Sequence, residues 1–254
     1  MRIANSFIIA FSMYSKIPMP QFEWREEDMK YTLCFFPWIG AVAGVLIYLW
    51  NILCARFEIG IFCYTMIGAA IPLLITGGIH MDGFIDTMDA FHSYQPREKK
   101  LEILKDPHIG AFSMIKLVTY GLIYLGAFSE IQDEQVLRVF CAGFFLSRCL
   151  SGIGVLSIQP AKKDGLLYTF ASSANKKIVK STLYLQVFIC IGFMMLQSLY
   201  AGGITAAVAL AVLACYYCRC KKELGGITGD TAGCFVVICE GSMALAAAIM
   251  SRLV

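Results

Sequence analysis

Two short runs of this 254-residue chain carry residues suited to metal and phosphate chemistry. The first, Gly77 to Asp89, reads G-G-I-H-M-D-G-F-I-D-T-M-D, with Asp82, Asp86 and Asp89 spaced i, i+4, i+7. At about 100° per residue the three carboxylates share one helical face. Like charges so placed destabilise a helix unless something neutralises them. No Lys or Arg lies between Thr76 and Gln95, so a divalent cation is the natural compensator. Magnesium fits, because it combines carboxylate oxygens with the phosphate oxygens of a substrate. A solvated surface helix is the plain alternative, and it would interleave Glu with Lys. The second run, Gly225 to Gly233, reads G-G-I-T-G-D-T-A-G and sets Asp230, beside Gly229, at the opening of an apolar stretch. Glycines let a phosphate approach the backbone, and a helix N-terminus favours anions. An ordinary helix start with Asp230 as its cap is the simpler reading. Asp82, Asp86 and Asp230 are thus candidate magnesium ligands, and Gly229 a candidate substrate contact.

Cations and histidines lie nearby in sequence. Lys105 to Gly110 reads K-D-P-H-I-G, and Asp106-Pro107 predicts a helix start there. The loop Ala161 to Leu166 adds Lys162 and Lys163. Metal ligands with lysines beside them suit a diphosphate. His80, His92 and His108 are the only histidines, and all fall in one loop region. His80, two residues before Asp82, is a candidate general base, as is Asp89. His108 reads as a loop-positioning group and substrate contact, His92 as a solvated one. Arg148 and Glu240 stand inside apolar runs, where a charge usually faces a partner or a wet cavity. They pair with each other, or Arg148 reaches the substrate phosphates.

The elements that position these groups are membrane helices. Apolar residues make up 58% of the chain and charged ones 15%, against about 25% charged in a soluble domain. That excludes an ordinary cytosolic enzyme, a disordered regulator and a disulfide-stapled secreted domain. The net charge of +3 gives no case for nucleic acid. A bilayer core needs about 20 apolar residues of helix. Seven runs qualify, near 33–53, 59–79, 109–129, 136–157, 183–200, 203–218 and 231–250. The fifth and sixth are short and form a hairpin about a Gly202–Gly203 turn. Small residues such as Gly40, Gly44 and Gly121 let helices approach closely. Residues 3–14 are apolar but too short to span. No small-residue cleavage site follows them, so they are expected to remain as a re-entrant or interfacial helix. The eleven cysteines cannot all pair, and most lie in apolar runs as small hydrophobes. Cys215, Cys218 and Cys220 lack a second ligand pair and are not read as a metal site.

Basic residues set the orientation. One set of loops, within 15–32, 80–108, 158–182 and 219–230, holds fifteen Lys and Arg, and the other side holds Arg56, Arg138 and Arg252. The first set is therefore expected to be cytoplasmic. Both acidic motifs fall on that side. The expected fold is an all-α, polytopic bundle of about seven spans plus a short N-terminal helix, a single integral-membrane transferase domain over 1–254.

In this context the chain resembles the cobalamin synthase, or adenosylcobinamide-GDP ribazoletransferase, family. The resemblance rests on Lys16-Ile17-Pro18-Met19-Pro20, Phe36-Pro37-Trp38-Ile39-Gly40, Thr76 to Asp89, Leu101 to Phe112, Ser147-Arg148, Lys162 to Leu166 and Leu224 to Gly233. It implies a multi-pass transferase of the cell membrane with its site facing the cytoplasm. Such an enzyme joins adenosylcobinamide-GDP to α-ribazole or its 5′-phosphate, releases GMP and uses Mg²⁺. By the same resemblance Asp82, Asp86, Asp89 and Asp230 are the metal and catalytic acids; for such a reaction Lys105, Arg148 and Lys162 are the expected phosphate contacts. Ile85, Ala90, Ser113 and Ile227 depart from common family residues, and none removes an acid. The alternatives are an enzyme like the CDP-alcohol phosphotransferases and an ion-coupled transporter using Arg148 and Glu240. The first expects D-G-x-x-A-R where Asp86-Thr87 stands; the second expects its acids near the bilayer midplane. A homo-oligomer is left open.

Overall fold

The computed structural model describes residues 2–162 and 165–253. These form twelve helices and one isolated parallel bridge, Pro160 to Ile227. Six helices are long and apolar enough to cross a bilayer: α3 (Thr32–Arg56), α7 (Ala111–Ser129), α8 (Glu134–Ser157), α10 (Lys176–Gln197), α11 (Leu199–Leu224) and α12 (Gly229–Leu253). A seventh crossing comes from α4 (Ile61–Thr76), which is followed by α5 (Ile79–His92) after a bend of 92°. The 16 residues of α4 rise about 24 Å, close to the hydrocarbon thickness. We therefore read α4 as the crossing and α5 as lying across the end of the bundle. Gly77 and Gly78 make the bend, with φ of 63° and 80°, a left-handed pair that costs glycine nothing.

Alternation of the two ends is visible in the loop contacts. At one end Ser251 Oγ accepts the N–H groups of Gln132 and Asp133, and Arg252 pairs with Glu130. At the other, the Lys16 N–H donates to Ile75 O, the Asn175 N–H to Lys30 O and the Ala161 N–H to Ile227 O. The short helices α1 (Arg2–Tyr14), α2 (Glu26–Met29), α6 (Arg97–Ile103) and α9 (Leu166–Ser173) gather at this second end. The 13 residues of α1 reach only about 20 Å. Its start is tied to α2 by Asn5 and Ser6 on Asp28, and its end packs Tyr14 on Phe36. Both ends of α1 thus stay at one end of the bundle, as expected of a short helix that does not span.

At the centre, α8 packs against α3, α10 and α12. Small residues permit this. A Cβ on Gly40 would lie 2.1 Å from the Phe144 carbonyl oxygen, and one on Gly44 2.3 Å from that of Cys141. Gly40 and Gly44 are one turn apart, so α3 meets α8 backbone to backbone. Much of the apolar surface of α7 and α10 is exposed, as suits helices that face lipid. Gly121 on α7 has open space around it and serves no such packing.

Two sequence expectations are corrected. The hairpin of the fifth and sixth spans turns at Ser198, whose side chain accepts the Ala201 N–H, and not at Gly202–Gly203. Gly202 lies inside α11, where a Cβ would sit 2.4 Å from the Met194 backbone. Both helices are consequently longer than their hydropathy suggested, at 22 and 26 residues. Asp106-Pro107 does not open a helix. The loop runs on to Gly110 and α7 begins at Ala111; the Asp106 carboxylate instead accepts the His108 N–H.

Gly40→Leu should destabilise the chain by at least the about 1–3 kcal/mol that overpacking costs, read as a lower melting temperature of the purified chain in detergent. Gly121→Ala should leave it level or slightly raised.

Candidate active site

The basic end of the bundle contains a cavity of about 560 Å³. Its polar side is built by Asp82 and His80 of α5, Asp230 and Gly229 at the start of α12, Lys105 after α6, and Lys162. Its apolar side is built by Met13 and Tyr14 of α1, Leu33 and Phe36 of α3, and Leu167 and Phe170 of α9.

Local structure explains why Asp230 reaches this space. Thr228 caps α12, its hydroxyl accepting the Thr231 N–H while Thr231 Oγ1 accepts the Thr228 N–H. This reciprocal cap leaves Asp230 in the first turn without a capping task, so its carboxylate faces the cavity. Lys162 lies within electrostatic reach of Asp230 and donates to the Leu101 carbonyl at 2.7 Å. Lys163, predicted to add a second cation in that loop, falls outside the described residues.

The acids of α5 divide. Asp82 is exposed on the cavity. Asp86 is half-buried, and its pKa is pushed up to about 6, first by desolvation and then by Asp82, Asp230 and Asp89. The four carboxylates therefore crowd one another. Asp89 turns away: its two oxygens accept the Gly110 N–H at 2.7 Å and the Ser113 N–H at 3.0 Å, at the N-terminus of α7. This placement, beside its reading as a base, follows from the unpaired N–H groups of a helix start, which attract a carboxylate.

His80 is buried, in ring contact with Tyr14 and Phe36. Its Nε2 has no hydrogen-bond partner among the described residues. Burial, and then the nearby Arg148 charge, hold its pKa well below the usual value, so the ring is neutral. His108 is predominantly exposed, bonded to Asp106, and does not line the cavity. Of the two readings of Arg148, the structure shows the pair with Glu240. Arg148 is 1% exposed, lies off the cavity and is paired with Glu240 at 2.5 Å, with Ser147 Oγ donating to the same carboxylate. The Arg148–Glu240 pair thus lies within the bundle, with Arg148 Nε left without a hydrogen-bond partner among the described residues.

No three His, Cys, Asp or Glu among the described residues are grouped to hold a metal ion, the cysteines of α11 included. Asp82 and Asp230 are nevertheless hard oxygen donors on one cavity, with Asp86 behind them. That is the donor set magnesium uses when substrate phosphates and water supply its other ligands. The sequence reading did not find the aromatic wall of Tyr14, Phe36 and Phe170. Its residues come from three helices with no motif in common. The cap is Thr228 and not Asp230 as the simpler sequence reading had it; its signal is T-x-x-T before an apolar run.

Asp89→Ala should destabilise the start of α7 by about 1 kcal/mol, the typical loss of a helix cap. A lower melting temperature in detergent, with a smaller loss for Asp89→Asn, would be the signature.

With this geometry in hand, comparison with known proteins is informative. The family model described as cobalamin-5-phosphate synthase matches residues 6–248. A protein of Lachnoclostridium phytofermentans named adenosylcobinamide-GDP ribazoletransferase is 41% identical over 251 residues, covering 98% of this chain and 95% of that one. One of the same name from Clostridium perfringens is 30% identical, covering 91% and 92%. One from Mesorhizobium japonicum is 27% identical, covering 98% and 94%. No solved structure matches. The chain belongs to the cobalamin-5-phosphate synthase family.

Proposed function

We propose that this membrane transferase carries the cobinamide phosphate of adenosylcobinamide-GDP to α-ribazole or its 5′-phosphate, releasing GMP, at the cavity on its basic end. The observation that carries the reading is the meeting of Asp82, Asp230, Lys105 and Lys162 on one cavity, from four separate segments of the chain. Acids for a hard cation and lysines for phosphate oxygens are what a diphosphate ester needs. The excess of Lys and Arg in the loops of that end supports a cytoplasmic orientation, where nucleotides are found.

The chain's own residues do the following. Lys105 and Lys162 hold the diphosphate, and Gly229, with open space around it, lets a phosphate approach the start of α12. The apolar wall of Tyr14, Phe36 and Phe170 receives the apolar part of the acceptor and excludes water. A ribose hydroxyl oxygen attacks the phosphorus attached to the cobinamide aminopropanol. The new P–O bond forms as the bond to GMP breaks. His80, neutral and buried, takes the hydroxyl proton on Nε2. Mg²⁺ held by Asp82 and Asp230, with Asp86 beside them, would neutralise the diphosphate and the departing GMP.

The decisive experiment incubates the reconstituted chain with adenosylcobinamide-GDP, α-ribazole and Mg²⁺, and follows GMP and the nucleotide-loop product. One GMP per product is expected; no GMP with folded protein would sink the reading. Asp82→Asn and Asp230→Asn should lose more than the roughly 10–100-fold that outer-shell changes around a metal cost. His80→Ala should lose about 10²–10⁴-fold if it carries the proton.

The crowded acids give a pH dependence. Between the ordinary aspartate value and about 6, folded Asp86 keeps a proton that the unfolded chain has lost, so its contribution to stability falls as pH rises through that window. A divalent cation competes with the same proton. Stabilisation by Mg²⁺, read as a melting-temperature shift, should be larger at pH 7.5 than at pH 5.5, and Asp86→Asn should flatten the difference. An equal shift at both pH values in the unmodified chain would place the cation away from Asp86.

A further inference from the structure

A second cavity, of about 320 Å³, lies between α11 and α12. On α11 its wall runs from Val208 to Arg219, and on α12 from Thr231 to Ser242. Eleven residues of helix rise about 16 Å, roughly half the hydrocarbon thickness of a bilayer and so one leaflet. The two helices are antiparallel neighbours, which puts Arg219 and Thr231 at the basic end and Val208 and Ser242 at depth. Ala211 and Cys215, one turn apart on the α11 wall, are exposed, so the groove opens sideways to the lipid.

Its polar end carries one charge. The Arg219 guanidinium sits 4.7 Å from the centre of the Phe91 ring. Among the described residues it forms no contact ion pair; Glu223, one turn on, feels its charge but makes its ion pair with Lys100. An apolar slot one leaflet deep, closed at the headgroup level by an exposed arginine that forms no ion pair among the described residues, matches one kind of occupant. We propose that an anionic phospholipid binds here, with one acyl chain between α11 and α12 and its phosphate on Arg219. Phosphate is the better partner for this planar cation, which offers paired N–H donors. Met88 and Phe91 close the same end of the groove from α5. The lipid would therefore brace the helix that carries Asp82, Asp86 and Asp89. The site is separate from the cavity that holds Asp82 and Asp230, and it does not depend on the reaction assigned there.

The test uses the full chain in nanodiscs, with phosphatidylglycerol or phosphatidylcholine bearing a photoactivatable group in one acyl chain, and maps adducts by mass spectrometry. Adducts should fall on the segments 208–219 and 234–242. Phosphatidylglycerol should give roughly five-fold more, the ratio that about 1 kcal/mol per basic residue at the membrane surface converts to. The excess should vanish in Arg219→Gln and persist in part in Arg219→Lys. Ala211→Trp, which fills the groove and leaves Arg219 in place, should remove adducts from both lipids. Arg219 and Ala211 are exposed, so these variants should fold, and melting temperatures check it. Equal labelling by the two lipids, or an excess that survives Arg219→Gln, overturns the proposal. So do adducts confined to α7 and α10. Labelling that disappears as protein concentration rises would assign the groove to a second copy of the chain and overturn it as well.

Discussion

The functional end of this molecule depends on one close crossing, that of α5 over the first turn of α12. A Cβ on Gly83 would lie 2.6 Å from the Asp230 carbonyl oxygen, and one on Gly233 would lie 3.3 Å from the His80 backbone. Each acidic motif thus contributes a glycine at the point where the other passes. Only because the two backbones touch can Asp82 and Asp230, far apart in sequence, share a cavity. The remaining local features hold α5 in that crossing. The Gly77–Gly78 turn swings it off α4, and the Lys16 N–H on Ile75 O ties the N-terminal segment to the end of α4. At the far end Asp89 fastens α5 to the start of α7.

Beneath the crossing lies the Arg148–Glu240 pair. Breaking such a pair leaves one charge uncompensated in a dry interior, whereas forming it gains little over well-packed apolar groups. Its value here is geometric. Arg148 Nη1 donates to Glu240 and to the Phe144 carbonyl, and Ser147 Oγ adds a second bond to the carboxylate. These directional bonds set the register of α8 against α12, two of the most buried helices of the bundle. They also place a positive charge near His80, which adds to burial in keeping that ring neutral beside the acids. A transport relay would need these charges open to a path, and they are spent on each other.

Hydropathy made the spans legible because a lipid-facing helix must be apolar over its full length. It located them less well where the apolar stretch and the helix differ. The apolar part of α10 begins near Leu183, yet the helix starts at Lys176, where the Asn175 side chain accepts the Ile178 N–H. The acidic motifs were legible because charge is scarce and theirs is concentrated. What could not be read was the direction of each side chain. Asp82, Asp86 and Asp89 share one helical face by spacing, and nothing in that spacing says that the start of α7 meets only the last of them. Nor does the sequence reveal that Arg148 and Glu240 are neighbours, since that depends on the packing of α8 on α12.

The acids then differ in role through the company they keep. Asp89 has each oxygen engaged by a backbone N–H group at the start of α7, so its carboxylate clamps the two helices together. Asp86 is half-buried and stands among three other carboxylates, so it holds its proton more tightly, and a cation bound beside it would have to displace that proton. Asp82 and Asp230 face the cavity from the two crossing helices, where a ligand arriving from solvent meets them first. One residue type thus does the work of a clamp, a tuning charge and a pair of ligands, and the division follows from which backbone N–H groups and which other charges lie beside each carboxylate. A substitution that moved the crossing, such as a side chain at Gly83, would therefore disturb all of these tasks at once without touching any of the acids.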